Sequence, residues 1–374
     1  MRQSKRILHF GIKYYPSQGG SSRVAEVLVQ QARSRAEVSI YCYRNQQLMP
    51  RHLEGIRVIQ MPHFGGGSAG VFLYYALCCL HALLFGKYDL IHVHKTDSAF
   101  FIPILRLKAR VIATSQEAPY RRDKWSWFGK LYFRLMERFF MRSGAILTAV
   151  SKPLKAYYEA NYRQEVHYIP NFVDTVPEYD DAGAEDLMLS HHIGPDFLLF
   201  SARRIMSTKG CHTMLQALRD INYQGQLVII GQDSHAPDYS RRIRELAAGL
   251  DVVFTGYVSS KAILMSMVRK AKLFIFPSEN EGMSLMLLEV GSTGTPVVAS
   301  DIPENTSVFT EEEVLFFQDK SAKDLAGQLR YALQHKDEMQ QKGRAAMEKV
   351  QKEFGAHRVA EQYFQLYDSN LVKL

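Results

Sequence analysis

The chain has 374 residues, 47% of them hydrophobic, and a formal net charge of +8. This is a globular composition, and the length is sufficient for two hydrophobic cores, because single cores stop growing beyond about 250–300 residues. Residues 1–170 carry an excess of Lys and Arg, whereas residues 171–374 carry an excess of Asp and Glu. We therefore expect the basic half to meet an anionic partner, and nucleic acid, lipid headgroups and a diphosphate-linked substrate all remain open at this point.

The four cysteines contain no CxxC pair, so we predict neither a zinc site nor a disulfide framework and expect a reducing compartment. The N-terminal segment lacks the apolar run of a secretory signal peptide, which favours a cytoplasmic location. The apolar stretch 69–86 contains His81, and its uninterrupted part is shorter than the roughly 20 residues that span a bilayer. We interpret it as a buried helix of an α/β domain, with a membrane-dipping helix as the alternative.

Short β-branched segments alternate with longer amphipathic segments in the first half of the chain, which is typical of a parallel sheet with helical crossovers. The predicted strands are 6–11, 37–43, 56–61, 90–94, 109–115, 145–151 and 166–170. The predicted helices are 21–33, 69–85, 99–107, 125–142 and 153–161.

The same alternation returns in the second half. The predicted strands are 196–202, 226–231, 251–256, 272–278, 296–300 and 314–317, and the predicted helices are 211–218, 239–248, 261–271, 285–292 and 322–335. Residues 171–195 lose periodicity and gain Asp, Glu, Pro and Gly, as linkers do. We therefore predict two doubly wound α/β domains that face each other across a cleft, with ligands at the carboxyl ends of the strands. The predicted boundaries are 1–170, a linker at 171–195, 196–352, and a C-terminal helix at 353–374 that packs back on the first domain.

The segment "ENEGMSLMLLE" places two carboxylates, Glu281 and Glu289, around the start of an apolar helix. The amides of residues 284–286 open that helix without intrahelical partners and form a natural anion site. A carboxylate as deep as Glu289 is costly unless it meets donors, and ribose hydroxyls are suitable donors. The alternative is a loop glutamate and a helical glutamate in an ordinary salt bridge.

Cations occupy a second strand-to-helix loop, "FSARRIMSTKG", where Arg203, Arg204 and Lys209 are suited to hold phosphate. A third loop, "PSQGG", offers backbone amides but is neither GxGxxG nor GxxxxGK[ST], which disfavours a nicotinamide-dependent dehydrogenase and an NTPase. The segment 116–144 mixes cations with aromatic residues, which fits nucleic acid, a membrane interface, a sugar-binding platform or an ordinary amphipathic core helix.

Together these motifs resemble those of the retaining nucleotide-sugar glycosyltransferases of the GT-B fold, glycosyltransferase family 4. "EGMSLMLLEVGSTGTPVVASDIPE" is similar to the family signature of two glutamates separated by seven residues. "RRIMSTKG" is similar to its diphosphate-binding Arg and Lys, "PSQGG" to its N-terminal glycine loop, and "IPNFVD" to its interdomain linker. "YRRDKW" further resembles a bacterial subgroup that assembles rhamnose-containing surface polysaccharides.

The resemblance implies two Rossmann-like domains and a role for each motif. Glu289 would bind the ribose, Glu281 would contact the donor sugar, and Arg204 and Lys209 would stabilise the departing diphosphate, so that Arg204, Lys209 and Glu281 are the expected catalytic residues. The other donor-binding residues it implies are Gly19, Gly20, Gly256, Val258, Gly282, Met283, Ser284 and Leu285. The expected acceptor-side residues are Gln116, Glu117, Arg121, Arg122, Lys124 and Trp125.

One position departs from the family pattern. Many members carry a histidine after the strand that here reads "VIATS", whereas this chain has Gln116 and Glu117. The departure puts that histidine's role in doubt and is consistent with an altered donor or acceptor. His92 and His94 are expected to have structural or acceptor-side roles and not to bind metal.

The resemblance implies a metal-independent, retaining hexosyltransferase without a cofactor, with a nucleoside-diphosphate sugar as co-substrate. The expected acceptor is a glycan hydroxyl, lipid-diphosphate-linked, in the synthesis of cell-surface polysaccharide such as lipopolysaccharide or capsule. The basic half would then allow peripheral contact with the anionic inner face of the cytoplasmic membrane, and nucleic acid is not expected as a partner. A catalytically silent nucleotide-sugar or glycan-binding protein, a GT-B epimerase and a glycan phosphorylase remain as alternatives.

Overall fold

The computed structural model describes residues 5–15, 20–44, 52–53, 55–65, 67–117, 127–173, 176–234 and 236–371. The chain divides into two compact units, of which the first combines Met1–Asn171 with Ala356–Leu374 and the second is Phe172–Gly355. Each unit contains one predominantly parallel sheet whose strands alternate along the chain with helices. The prediction of two doubly wound α/β domains is therefore confirmed.

The described residues of the first unit form eight strands. They are β1 (Lys5–Phe10), β2 (Ala36–Tyr43), β3 (His52–Leu53), β4 (Ile56–Met61), β5 (Leu90–Val93), β6 (Arg110–Ser115), β7 (Ile146–Ala149) and β8 (His167–Tyr168). Their order in the sheet is β3-β4-β2-β1-β5-β6-β7-β8, and β3 is antiparallel to β4. The helices are α1 (Gly20–Ala32), α2 (Ser68–Phe85), α3 (Ile102–Leu105), α4 (Trp127–Met141) and α5 (Lys152–Tyr162), and a 3-10 helix, Thr96–Phe101, precedes α3.

In the part of the second unit that the structure describes there are six parallel strands. They are β9 (Phe197–Arg204), β10 (Gln226–Gln232), β11 (Val252–Gly256), β12 (Leu273–Phe276), β13 (Val297–Ser300) and β14 (Leu315–Phe317), in the order β11-β10-β9-β12-β13-β14. The helices are α6 (Asp181–Ser190), α7 (Cys211–Asp220), α8 (Pro237–Ala247), α9 (Lys261–Lys270), α10 (Leu285–Thr293), α11 (Pro303–Thr306), α12 (Ala322–Gln334) and α13 (Lys336–Glu353). A final helix, α14 (Ala356–Leu371), belongs to the first unit.

The central strands are continuous apolar runs because helices cover both faces of a parallel sheet. In β9 the first six residues, "FLLFSA", are buried, and the two arginines that end the strand are exposed. The strand therefore places Arg203 and Arg204 at the carboxyl edge of the sheet, where the polar loops begin.

The segment 171–195, predicted to be a linker, differs from the structure because it contains α6. The carboxylate of Asp180 caps this helix by accepting from the amide of Gly183 at 2.9 Å. Ion pairs from Arg269 to Asp181 at 2.6 Å and from Lys270 to Glu185 at 3.1 Å join it to α9. Its single buried residue is Ala184, so a cap and charge pairs hold it, and no apolar periodicity marks it in the sequence.

Helix α14 packs on the sheet of the first unit through two fully buried tyrosines. The hydroxyl of Tyr367 lies 2.6 Å from Nδ1 of His92, and the hydroxyl of Tyr363 lies 3.5 Å from Oγ1 of Thr114. His92 also contacts Thr114 through Nε2 at 2.7 Å. The last helix of the chain is thus joined to β5 and β6 by a buried polar network.

Three buried histidines lie side by side in this core. His9 on β1, His92 on β5 and His94 just after β5 are almost completely buried, and Nδ1 of His9 lies 2.8 Å from Nε2 of His94. Burial lowers the pKa of His9 to about 3 and holds the pKa values of the other two well below the ordinary value. The cluster is therefore neutral in the folded protein at pH 7.

The contact between Tyr367 and His92 can be tested by removing one hydroxyl. We expect Tyr367→Phe to lower the free energy of unfolding by about 1–3 kcal/mol, because Nδ1 of His92 would lose its partner inside the core. Urea unfolding followed by tryptophan fluorescence reports on this unit, since both tryptophans, Trp125 and Trp127, belong to it. Tyr14→Phe is the control, because that hydroxyl has no hydrogen-bond partner among the described residues. Equal stability of the two variants would contradict the account.

The histidine cluster predicts a loss of stability in acid. The pKa of His9 is ordinarily 6.5 and is about 3 in the folded protein. Between these two pH values, His9 is protonated in the unfolded chain and neutral in the folded chain. In this range, each unit by which the pH is lowered should decrease the free energy of unfolding by about 1.4 kcal/mol for each such histidine.

We expect His9→Gln to reduce this pH dependence in urea unfolding measured between about pH 6 and pH 4.5, because one histidine that is protonated only in the unfolded chain is removed. The control is His357→Gln, which alters an exposed histidine of α14. A slope that is unchanged by His9→Gln would show that His9 takes up a proton without unfolding.

Candidate functional site

The order of the second sheet reverses between β9 and β12, the first and fourth strands of the unit. In open α/β sheets this reversal separates the two loops that follow the strands and makes room for a ligand at the carboxyl edge. Here the two loops run from Ile205 to Gly210 and from Pro277 to Ser284. They are tied together by the amide of Glu279, which donates to the carbonyl of Thr208 at 3.0 Å.

The approach of these loops depends on glycine at position 210. Gly210 has φ of +66°, and a Cβ built there would lie 1.8 Å from the carbonyl oxygen of Pro277. Both the backbone conformation and the lack of space exclude a larger residue. The chain turns here directly from a 3-10 helix, Ser207–Lys209, into α7, so Lys209 faces the β12 loop.

Two of the predicted catalytic residues meet at this point. Nζ of Lys209 lies 2.5 Å from Oε1 of Glu281. The Glu281 side chain is 8% exposed and the Lys209 side chain 28% exposed, so the carboxylate is the more deeply placed partner. The lysine end of the pair remains accessible to an anion that arrives from solvent.

Helix α10 begins four residues after Glu281. Oγ of Ser284 caps it by accepting from the amide of Leu287 at 3.3 Å. Helix geometry leaves the amides of Leu285 and Met286 without intrahelical carbonyl partners, and the helix dipole adds positive potential there. The predicted donor-binding residues Gly282, Met283, Ser284 and Leu285 thus form the loop between the buried carboxylate and the helix start, a combination that is suited to an anion.

The remaining donor-side residues lie around α9 and α10. Glu289, one turn into α10, is buried, and Oε1 of this residue lies 2.9 Å from Nζ of Lys261. Gly256 ends β11 with φ of +75°, and Val258 follows in the loop to α9, whose cap is Ser260. Because the strands are parallel, the end of β11 lies at the same edge of the sheet as the ends of β9 and β12.

Arg204 lies at the same edge, but apart from the ion pair. It ends β9 with an exposed side chain, and none of the ion pairs among the described residues includes it. The structure therefore brings Lys209 and Glu281 together and leaves Arg204 as an accessible cation nearby in the chain.

Sequence reasoning did not identify two charged neighbours of this site. Lys261 contacts Glu289, and Glu279 lies 3.5 Å from Nε2 of His212 and 3.8 Å from Nζ of Lys320. Burial and the nearby Arg242 lower the pKa of His212. These partners are far from one another in sequence, so no local spacing signalled them.

The predicted residues of the first unit are only partly described. Gly20 begins α1, whereas Gly19, Arg121, Arg122, Lys124 and Trp125 lie outside the described residues. Gln116 and Glu117 follow β6 and are half-buried. Nε2 of Gln116 is buried without a hydrogen-bond partner among the described residues, which makes it a donor available to a ligand.

The histidine cluster is the arrangement in the described part of the chain that could hold a metal ion. Ring nitrogens of His9, His92 and His94 lie within 4.8 Å of one another. Both nitrogens of His92 already contact hydroxyl groups, so a metal would have to displace Tyr367 or Thr114. The expectation that His92 and His94 are not metal ligands stays a prediction.

Comparison with known proteins gives two family matches. Residues 18–176 match the model described as Glycosyltransferase Family 4, and residues 190–349 match the model described as Glycosyl transferases group 1. The first match covers most of the first unit, and the second covers β9, β12, α10 and the loops of the candidate site.

Individual proteins agree with these matches. The chain is 31% identical over 147 residues to a D-inositol 3-phosphate glycosyltransferase of Xylanimonas cellulosilytica, which is 37% of this chain and 35% of that protein. A sucrose-phosphate synthase from Thermosynechococcus elongatus superposes with a TM-score of 0.85 at 19% identity, over 99% of this chain and 100% of that one. Anabaena HepE in complex with UDP-glucose superposes with a TM-score of 0.78 at 14% identity, over 97% and 99%.

The matched segment spans about a third of the length of that curated relative, and the structural likeness at these identities shows the shared GT-B fold. The two family matches occupy consecutive parts of the chain and correspond to its two doubly wound units. The chain therefore contains a glycosyltransferase family 4 domain followed by a group 1 glycosyl transferase domain, which together make it a glycosyltransferase of the GT-B type.

Proposed function

We propose that the chain transfers a sugar from a nucleoside-diphosphate sugar to a hydroxyl group of a glycan. The observation that carries this proposal is the pair of Lys209 and Glu281, 2.5 Å apart, beside the capped start of α10. An accessible cation, a buried carboxylate and helix-start amides without intrahelical partners are what a sugar diphosphate requires at its reacting end.

The ion pair has to exchange partners when the donor binds. The diphosphate carries more charge than one carboxylate, so it attracts the ammonium group of Lys209 away from Glu281. The oxygen that Glu281 then exposes can accept a hydrogen bond from a hydroxyl of the donor sugar. Binding of the diphosphate and positioning of the sugar would in this way be coupled by a single lysine.

In the transfer step, the bond between the anomeric carbon and the diphosphate oxygen breaks, and a bond from that carbon to the acceptor oxygen forms. The acceptor proton passes to the departing phosphate on the same face of the sugar, which retains the anomeric configuration. Negative charge grows on the diphosphate as this happens. Lys209, Arg204 and the amide of Leu285 would stabilise it, a contribution that is typically worth a factor of 10² to 10³ in rate for one well-placed donor. No metal or other cofactor is included in this scheme.

Glu289 is suited to the ribose. Its carboxylate is buried, and Oε1 lies 2.9 Å from Nζ of Lys261. A buried carboxylate is stable where hydrogen-bond donors surround it, and ribose hydroxyls would be such donors. The backbone of Gly256 and Val258, at the end of β11, would contact the base.

The sugar is proposed to be a hexose and the acceptor a lipid-linked glycan of a cell-surface polysaccharide, made in the cytoplasm. A solved neighbour in complex with UDP-glucose and a relative named for inositol phosphate support a hexosyl donor and a hydroxyl acceptor. The basic first unit fits the diphosphate of a lipid-linked acceptor.

A second function, binding without transfer, is favoured by one observation. Nε2 of Gln116 is buried without a hydrogen-bond partner among the described residues, so it could donate to a sugar hydroxyl without taking part in transfer. Slow release of nucleoside diphosphate from the donor distinguishes the two, because a binding protein would leave the donor intact.

The donor site is tested by titrating UDP, GDP and ADP into the protein by calorimetry. For the nucleotide that binds, we expect Arg204→Ala and Glu289→Ala each to weaken affinity by about 10- to 100-fold, because each removes a hydrogen bond to or from a charged group. The control is Arg241→Ala on α8, which removes an arginine whose side chain is 72% exposed and which should leave nucleotide affinity unchanged. If Arg204→Ala and Glu289→Ala both bind like the parent protein, the donor site lies elsewhere.

A further inference from the structure

Helix α2 is apolar on both of its faces. Its 18 residues, Ser68–Phe85, contain no charged residue, and five of them are buried against the sheet. The opposite face exposes Leu73, Leu80 and Leu84, with exposed fractions of 43%, 51% and 64%. A crossover helix of a doubly wound domain normally presents polar residues to solvent, so this outer face lacks an explanation within the unit.

Helix α4 exposes a mixed stripe of apolar and cationic residues. Trp127, Leu131 and Leu135 are 69%, 50% and 47% exposed, and Arg134 and Arg138 lie exposed among them. Positions 127, 131, 134, 135 and 138 follow helical spacing and form one face. Such a face is typical of helices that lie in a lipid interface.

The two exposed faces are continuous. Phe100, in the 3-10 helix between them, lies 5.5 Å from Phe72 of α2 and 5.4 Å from Phe139 of α4, measured between ring centroids. Phe100 is itself 38% exposed. We call the outer sides of α2 and α4, joined through Phe100, the apolar-basic face.

Within the described residues, neither α2 nor α4 exposes a carboxylate. Helix α2 has none, and the single acidic residue of α4, Glu137, is buried and accepts from the hydroxyl of Tyr162 at 2.6 Å. Lys108 adds a cation at the carboxyl end of α2, where Nζ donates to the carbonyl of Leu83 at 3.0 Å. The neighbouring Leu107 is 85% exposed. Among the described residues, the exposed charges of α4 and the neighbouring Lys108 are thus positive.

We propose that the apolar-basic face docks the protein on an anionic lipid bilayer, with α2 and α4 lying in the plane of the interface. Exposed leucines would enter the boundary between headgroups and acyl chains, and the arginines would meet anionic headgroups. This interaction surface goes beyond the proposed transfer reaction and requires no part of the donor site.

Helix α2 is long and apolar enough to cross a membrane, but its contacts fit a helix that lies on one. The hydroxyl of Tyr74 donates to the carbonyl of Ile12 at 2.8 Å, and that of Tyr75 lies 3.2 Å from Oδ1 of Asp97. Spanning the bilayer would remove these tyrosines from the sheet and leave the core open. Only the outer face of α2 is available to lipid.

A second copy of this chain fits the face less well than a bilayer does. In a two-fold dimer the same surface would meet itself, so Arg134 and Arg138 of both copies would come together without exposed carboxylates on either helix. Anionic headgroups would attract these arginines, whereas a second copy would repel them. The chemistry of the face therefore selects a lipid surface.

The experiment is sedimentation of the full chain with vesicles. The parent protein should bind phosphatidylcholine vesicles that contain phosphatidylglycerol, bind pure phosphatidylcholine much more weakly, and dissociate as salt is raised. We expect the double variant Leu80→Ser with Leu84→Ser to bind roughly tenfold more weakly or worse, because two apolar side chains leave the interface. Arg134→Glu with Arg138→Glu should weaken binding by roughly 30-fold or more, since two attractive charges become repulsive.

Matched controls lie on the second unit. Leu189→Ser changes a leucine of α6 that is 75% exposed, and Arg241→Glu changes an arginine of α8 whose side chain is 72% exposed. Neither should alter vesicle binding. All variants should keep the parent's thermal unfolding temperature and nucleotide affinity, which separates failure of docking from failure of the donor site.

Three results would overturn the proposal. They are equal binding to neutral and anionic vesicles, unchanged binding of both double variants, and light scattering that shows a dimer converted to a monomer by Leu80→Ser with Leu84→Ser. The last result would identify the face as a contact between copies.

Discussion

The candidate donor site depends on one close approach of two backbone segments. The β9 loop passes the β12 loop at Gly210, where a Cβ atom would overlap the carbonyl oxygen of Pro277. Because the loops touch here, Lys209 reaches Glu281 across the position where the strand order reverses. A larger residue at 210 would separate the cation from the carboxylate and from the start of α10. The geometry of the proposed donor site at this edge of the sheet is therefore a consequence of backbone packing.

Buried polar side chains have different kinds of partner in the two units. In the second unit, buried carboxylates are paired with lysines, Glu281 with Lys209 and Glu289 with Lys261, so each pair can be opened by a ligand that carries charge or donors. In the first unit, the buried histidines are neutral, and hydroxyl groups such as that of Tyr367 satisfy His92. Exchangeable ion pairs suit a binding site, whereas neutral hydrogen bonds fix α14 to its sheet.

Most of the architecture could be predicted from the sequence because parallel strands leave continuous apolar runs, as "FLLFSA" in β9 shows. The loop residues Lys209, Glu281 and Ser284 were identifiable for the same reason, since they follow such strands. Helix α6 was missed because its cap and ion pairs leave no periodic apolar stripe. The partnership of Glu289 with Lys261 was missed because it joins two helices whose packing no local pattern encodes. The apolar stretch that forms α2 was predicted to be a helix. Its exposed outer face could not be predicted, because exposure depends on how the helix packs in the unit.

We propose that Lys209 leaves Glu281 to hold the diphosphate of the donor beside the start of α10. The decisive experiment is a crystal structure of the chain with its nucleoside diphosphate. We expect diphosphate oxygens within hydrogen-bond distance of Nζ of Lys209 and of the amide of Leu285, with the Lys209–Glu281 pair opened. A nucleotide bound elsewhere, with that pair still closed at 2.5 Å, would show that Lys209 does not hold the diphosphate.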